Sequence, residues 1–356
     1  MRCILFFGIY DPRYARNRVL YEGFKRNGWE ITECHVDPKV NRGILKYLKL
    51  FLLGLKAWRE RYDLVLVCFP GHTVMPLARF LFGPRVVFDA FLSVYDSNVF
   101  DRKVYPANSL RAWRDKMLDT WSCKLARKVL LDTNQHIEYF VKTFGISREK
   151  FIRMWISADD TMFFPTNIPE AAVFTVHFYG TFIPLQGIQY IIEAANILRD
   201  EDIRFRIVGS GQERERIERQ IEDFKLDTIE WIGKVPVERV PGYMAGAHVV
   251  LGIFGDTEKT KRVIPNKVYE AMAMGKAIIT ADTPAIRELE GASAALKLIP
   301  VANAKALADA ILELKNDSGR RKILGLSARA LFERECLPEQ IIKNLIEELQ
   351  RSSIRA

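Results

Sequence analysis

The chain alternates short, nearly continuous apolar runs with longer segments whose apolar residues recur at helical spacing. In the first half the runs are Cys3–Phe7, Leu64–Phe69, Val86–Phe88 and Val129–Leu131. Helical spacing marks Arg18–Asn27, with Gly28 as its stop, and Leu110–Arg127. The rhythm then repeats. Phe174–Tyr179, Phe205–Val208, Ile229–Ile232, Val249–Phe254 and Ala277–Thr280 alternate with helices near Ile188–Arg199, Glu213–Asp223, Lys267–Met274 and Ala304–Leu314. Strands that are apolar throughout are buried on both faces, which calls for a parallel sheet layered between helices. The pattern predicts an α/β protein of two doubly wound, Rossmann-like domains in tandem. Pro165 and Pro169 interrupt both rhythms within Phe163–Glu170, so the domains are expected at 1–165 and 170–335. A last helix, Pro338–Arg351 within 336–356, starts on proline and carries Ile341, Ile342, Leu345, Ile346 and Leu349 on one stripe. We expect it to cross back to the first domain.

A length of 356 residues suits two domains better than one core. With 49% hydrophobic and 27% charged residues, the chain has ample apolar surface to fold and is not a disordered type. No run approaches the roughly 18–20 apolar residues of a spanning helix. The apolar run that opens the chain is too short for the core of a signal peptide. Cys3, Cys34, Cys68, Cys123 and Cys336 are odd in number and widely spaced, with no C-x-x-C and no zinc-site spacing. They read as reduced thiols in a cytoplasmic protein with no metal centre. The net charge of +9 is unevenly placed: residues 1–165 hold 27 Lys and Arg against 17 Asp and Glu, the remainder 26 against 27. The first half therefore faces something anionic, whether a membrane, a nucleic acid or a phosphorylated substrate.

Open α/β sheets bind ligands outside the carboxyl ends of their strands, and two such domains place the default site in the cleft between them. Three segments of the second half sit at strand ends. Gly180 and Thr181 lead into Pro184-Leu185-Gln186-Gly187, where a helix N-terminus offers N–H groups to an anion. Gly209-Ser210-Gly211 precedes a charged helix, a weak form of a dinucleotide turn. The most specific segment runs from Ile253 to Lys276. Its loop carries Lys259, Lys261 and Arg262, Pro265 starts a short helix, and Gly275 stops it. Cations and a positive helix end converge there as a diphosphate requires. Asn266 and Glu270, one turn apart, share a face with Lys267 nearby, and a carboxylate at that place can accept two vicinal ribose hydroxyls.

These segments, with Ala277-Ile278-Ile279-Thr280 and the Asp159-Asp160 and Phe164-Pro165 pairs, resemble the group 1 (family 4) glycosyltransferases of the GT-B fold over essentially the whole chain. The resemblance implies two Rossmann-like domains facing a central cleft and transfer of a hexosyl group from a nucleotide-sugar with retention of configuration. It also implies no obligatory metal and no cofactor besides the donor. The donor then lies on the C-terminal domain, on Gly180, Thr181, Gln186, Gly187, Gly209, Ser210, Gly211, Lys261, Arg262, Asn266, Lys267 and Glu270, with Glu270 on the ribose. Two departures stand out. Arg262 occupies the place of a frequent second glutamate, and the basic residue usual in the first glycine turn is absent. We expect Lys261 or Arg262 to supply that charge, and Arg262 to act in catalysis.

On the N-terminal side, Gly8, Tyr10 and Arg13 follow the first strand, Gly71 and His72 a second, and Asp89 a third. They form the expected acceptor face, with His72 and Asp89 as candidates to bind the sugar or assist deprotonation. Asp89, set between aromatic residues, needs a partner. On a helical wheel Arg42, Lys46, Lys49 and Lys56 fall within about 80°, Leu53 sits among them, and apolar residues fill the opposite side. Such a helix either lies on an anionic membrane or buries its apolar side in the first domain. The first option makes the protein peripheral on the inner face of the cell membrane, with a glycan or lipid-linked acceptor in polysaccharide or glycolipid synthesis. A nucleotide-sugar epimerase of the same architecture and a catalytically silent partner of another transferase remain alternatives. Nothing interleaves basic and aromatic residues as nucleic-acid binding would require.

Overall fold

The computed structural model describes residues 2–354. The chain divides into two compact units, Met1–Ser157 with Leu337–Ala356 and Ala158–Cys336. The division falls ahead of Phe163–Glu170. Asp159 and the turn it anchors, with the Phe163 N–H donating to the Asp159 carbonyl at 2.8 Å, cluster with the second unit.

The first unit holds β1 (Arg2–Gly8), β2 (Trp29–His35), β3 (Leu64–Val67), β4 (Val86–Asp89), β5 (Lys128–Leu131) and β6 (Phe151–Arg153). They form one parallel sheet in the order β2-β1-β3-β4-β5-β6. Alternation sends Leu5, Phe7, Val65, Val67, Phe88 and Val129 to one face. There they meet Leu50 and Ala57 of the Leu45–Ala57 helix, Met75, Ala78 and Leu81 of Met75–Phe82, and Cys123 of Leu110–Leu125. The Ala15–Arg26 helix receives the final helix, Pro338–Ile354. Gly23 permits that approach, because a Cβ there would stand 2.4 Å from Ile342 and 2.5 Å from the Pro338 carbonyl.

The second unit holds β7 (Phe174–Phe182), β8 (Ile203–Gly211), β9 (Ile229–Ile232), β10 (Val249–Leu251), β11 (Ala277–Ala281) and β12 (Lys297–Ile299), parallel in the order β12-β11-β10-β7-β8-β9. This is the doubly wound dinucleotide-binding order, with its reversal between β7 and β10.

The Leu45–Ala57 helix departs from the expected two-sided pattern. Leu50, Gly54 and Ala57 are its buried residues, and Leu53 packs partly buried at the border of that face. Leu53 therefore stands among the cations because the core claims it. The apolar side of the helix is not all buried: Leu45, Leu48, Leu52 and Leu55 remain exposed.

Candidate functional site

At the reversal point of the second sheet, two loops close on each other. The Phe254 N–H donates to the Gln186 carbonyl at 3.1 Å and the Gly255 N–H to that of Leu185 at 3.2 Å. Gly187, at φ +65°, and Gly255 lie back to back, and a Cβ on Gly187 would stand 2.4 Å from the Gly255 nitrogen. The loop after β10 then makes a turn in which the Thr260 N–H bonds to the Thr257 carbonyl at 3.0 Å. Pro265 takes an extended conformation that launches the Asn266–Ala273 helix, and Gly275 at φ +66° leaves it.

That helix is buried from Lys267 to Ala273, so its two charges are forced into the interior. Glu270 is 3% exposed, and its Oε2 has no hydrogen-bond partner among the described residues. Burial, helped by the charge of Asp159, pushes its carboxyl up to about 8. Three residues earlier, the Lys267 ammonium donates to the Gln186 side-chain oxygen and lies 3.7 Å from the centre of the Phe178 ring. It also sits 3.0 Å from where a Gly180 Cβ would be. Burial holds its pKa well below the usual lysine range. His177, fully buried on β7, is driven down to about 3 by burial and by the charges of Arg206 and Lys267. A carboxyl oxygen without a hydrogen-bond partner and a lysine without a carboxylate, both deep in a fold, are costly unless a ligand completes them.

The expected donor residues are therefore brought together in part. Gly180, Gln186, Gly187 and Lys267 converge near the reversal point, and Glu270 lies one turn further along the helix that carries Lys267. Lys267 is the cation nearest Gly180, while Lys261 is exposed and pairs with Glu258 at 2.5 Å; Arg262 is half-buried. Gly209, Ser210 and Gly211 do not form a phosphate turn. They are the last residues of β8, in register with Gly180, Thr181 and Phe182. The glycines let the strands approach: a Cβ on Gly209 would stand 2.0 Å from the Gly180 carbonyl, and one on Gly211 2.6 Å from the Phe182 backbone. The helix that follows carries Glu213 and Glu215 at its start, which opposes an anion there.

In the first unit, the chemistry expected of two residues gives way to structure. Asp89 is fully buried, gripped by the Arg16 guanidinium at 3.0 and 3.1 Å, and Arg16 also donates to the Trp155 carbonyl at 3.0 Å. This pair, invisible in the sequence because the partners lie 73 positions apart, leaves no carboxylate oxygen for a substrate proton. His72 is 4% exposed, with Nε2 3.3 Å from Asp119. Burial lowers it to about 4, so it is neutral at physiological pH. Tyr10 is buried and donates to Glu33 at 3.2 Å. A Cβ on Gly71 would meet Val67 at 2.4 Å, so this glycine serves packing. Gly8 is buried at the end of β1, and Arg13 alone among the acceptor-side candidates is exposed, paired with Asp11 at 3.5 Å.

Residues 173–317 match the family model described as glycosyl transferases group 1. The chain is similar to the amylovoran biosynthesis glycosyltransferase AmsK of Erwinia amylovora, 28% identical over 59% of this chain and 50% of that protein. It spans about half the length of the curated relatives it matches. Among solved structures it resembles sucrose-phosphate synthase from Thermosynechococcus elongatus, with TM-score 0.76 and 19% identity over 100% of both chains. It also resembles Anabaena Alr3699/HepE in complex with UDP-glucose, with TM-score 0.72 and 15% identity over 99% and 100%. At these identities the likeness shows the fold, which is GT-B.

Proposed function

From the match of residues 173–317 to the group 1 glycosyl transferase model, we propose that the protein moves a hexosyl group from a nucleotide-sugar to an acceptor hydroxyl. The observation that carries this reading is the buried Glu270 carboxylate, whose Oε2 has no donor, on the helix that follows the cationic loop. Ribose 2′- and 3′-hydroxyls supply the missing donors. Lys267, held by Gln186 beside Gly180, meets the diphosphate, and Lys261, Arg262 and Asn266 act from the rim. The HepE structure, which is a complex with UDP-glucose, supports a donor of this class.

In the reaction, the bond from the anomeric carbon to the diphosphate breaks and one to the acceptor oxygen forms on the same face, so configuration is retained. The acceptor proton passes to the leaving phosphate oxygen. Lys267 lowers the barrier by stabilising charge as it develops on that group. Since protein cations meet the diphosphate, transfer is expected to survive chelation of divalent ions. Loops of the first unit around Arg13 receive the acceptor, a glycan or lipid-linked sugar in the synthesis of a cell-surface polysaccharide or glycolipid. The name of AmsK supports that setting, and five free cysteines fit a cytoplasmic one.

The test is a thermal-shift screen of nucleoside diphosphates and their sugars. The right donor at a hundred times its Kd stabilises by about 2.7 kcal/mol. Release of nucleoside diphosphate that requires an acceptor identifies a transferase; release without one favours an epimerase, and none at all a silent partner.

A further inference from the structure

One face of the first unit has no counterpart in the second. The helices Leu45–Ala57, Met75–Phe82 and Leu110–Leu125 lie side by side on the same face of the sheet. Each buries one flank and presents another. At 100° per residue, the exposed Leu45, Leu48, Leu52 and Leu55 centre about 170° from the buried Leu50, Gly54 and Ala57. Lys49 and Lys56 run along the edge of that leucine stripe, and both are exposed. The middle helix adds Phe80, 77% exposed. The third adds Trp113 and Trp121, 63% and 54% exposed, among Arg111, Lys116 and Lys124, with the Lys124 ammonium 5.4 Å from the Trp121 ring.

The charges on this face have one sign. Residues 40–58 and 71–88 contain no Asp or Glu, and the two in residues 102–127, Asp115 and Asp119, are buried. A surface for another protein would be expected to mix signs and to limit exposed leucine. Leucine and tryptophan ringed by lysine and arginine match the boundary of an anionic bilayer, where apolar groups enter the acyl region and cations meet phosphates. Among the described residues no helix is long and apolar enough to cross a membrane, so insertion is shallow.

We propose that the outer face of these three helices is a docking surface for an anionic lipid bilayer, with the leucines of Leu45–Ala57 and the tryptophans of Leu110–Leu125 entering it together. It goes beyond the donor reading and does not depend on it. Docking by this face holds the first unit against the leaflet in which a lipid-linked acceptor is anchored.

The experiment is flotation of the full chain with phosphatidylcholine vesicles, with and without one-third phosphatidylglycerol, at 0.1 and 1 M salt, where screening lengths are about 10 and 3 Å. The protein is expected to float with the anionic vesicles at low salt, to stay behind with pure phosphatidylcholine, and to be released at high salt. Lys49→Gln with Lys56→Gln lowers the partition coefficient about 25-fold, about fivefold per cation. Leu48→Ser with Leu52→Ser, and separately Trp113→Ala with Trp121→Ala, each lower it at least as much. All of these side chains are exposed, so the thermal unfolding midpoint should be unchanged and serves as the check on folding. No flotation at low salt overturns the proposal, as does flotation indifferent to the leucine and tryptophan variants. Self-association in place of vesicle binding, abolished by the same variants, assigns the face to a second copy of the chain and also overturns it.

Discussion

The two sheets end alike and are finished differently. At the carboxyl end of the first, Arg16 and Asp89 are both fully buried and answer each other, and the third guanidinium nitrogen donates to the Trp155 carbonyl. In the second, Lys267 and Glu270 are also buried, yet neither is answered by an opposite charge among the described residues. The difference separates structure from function. A closed pair holds loops in place and has nothing left to offer a ligand. An open pair costs stability in the empty protein, and that cost is recovered when a ligand bearing hydroxyls and phosphates arrives.

The sharpest way to break this comparison is to remove one member of the closed pair. Asp89→Ala leaves Arg16 buried and unpaired and should cost about 3–5 kcal/mol of stability by denaturant unfolding. Arg16→Met combined with Asp89→Leu should recover most of that loss. A cost near zero for Asp89→Ala would make the pair a bystander.

Glu270→Gln should do the reverse. Donor affinity falls about 100-fold by calorimetry, in line with the loss of hydrogen bonds to a charged group at about 1.5–3 kcal/mol each. The variant also loses a pH dependence. Because the folded carboxyl titrates near 8 and the unfolded one near 4.5, the folded state binds the extra proton between those values. The Glu270 contribution to stability therefore declines as pH rises from about 4.5 to about 8, by up to about 1.4 kcal/mol per pH unit, and is level outside that window. Stability profiles of wild type and Glu270→Gln should diverge in that sense, and parallel profiles would remove Glu270 from the open pair.

Smaller effects sharpen the picture. Gly209→Ala forces a methyl against the Gly180 carbonyl and should destabilise by about 1–3 kcal/mol. That loss would reflect strand packing; a variant of native stability with weakened donor affinity would restore the phosphate-turn reading. Lys261→Ala should change stability by less than about 0.5 kcal/mol and donor affinity only slightly, because its ammonium already pairs with Glu258 in solvent.

Much of the fold was legible because central strands of a parallel sheet must be apolar along their whole length, as Leu64–Val67 and Ala277–Ala281 are. Three edge strands escaped that criterion. Trp29–His35 alternates polar and apolar residues with one flank free of neighbours, and Phe151–Arg153 and Lys297–Ile299 are only three residues long. Glu270 was singled out by local spacing, one turn from Asn266, whereas the burial of Lys267 against Gln186 and Phe178 could not be read there. The roles of Arg16, Asp159 and His177 were not legible either, because each acts through partners far away in the sequence. Asp89 shows the limit most plainly: its need for a partner could be read from its apolar neighbours, but the partner could not.

The central claim is that Glu270 receives the ribose hydroxyls of the donor. Its most direct test compares the affinity of a ribonucleoside diphosphate with that of its 2′,3′-dideoxy form, in wild type and in Glu270→Gln. Wild type should favour the ribose form by about 10- to 100-fold, on the order of 1–3 kcal/mol, and the variant should scarcely distinguish the two. Equal discrimination by both proteins would contradict the account.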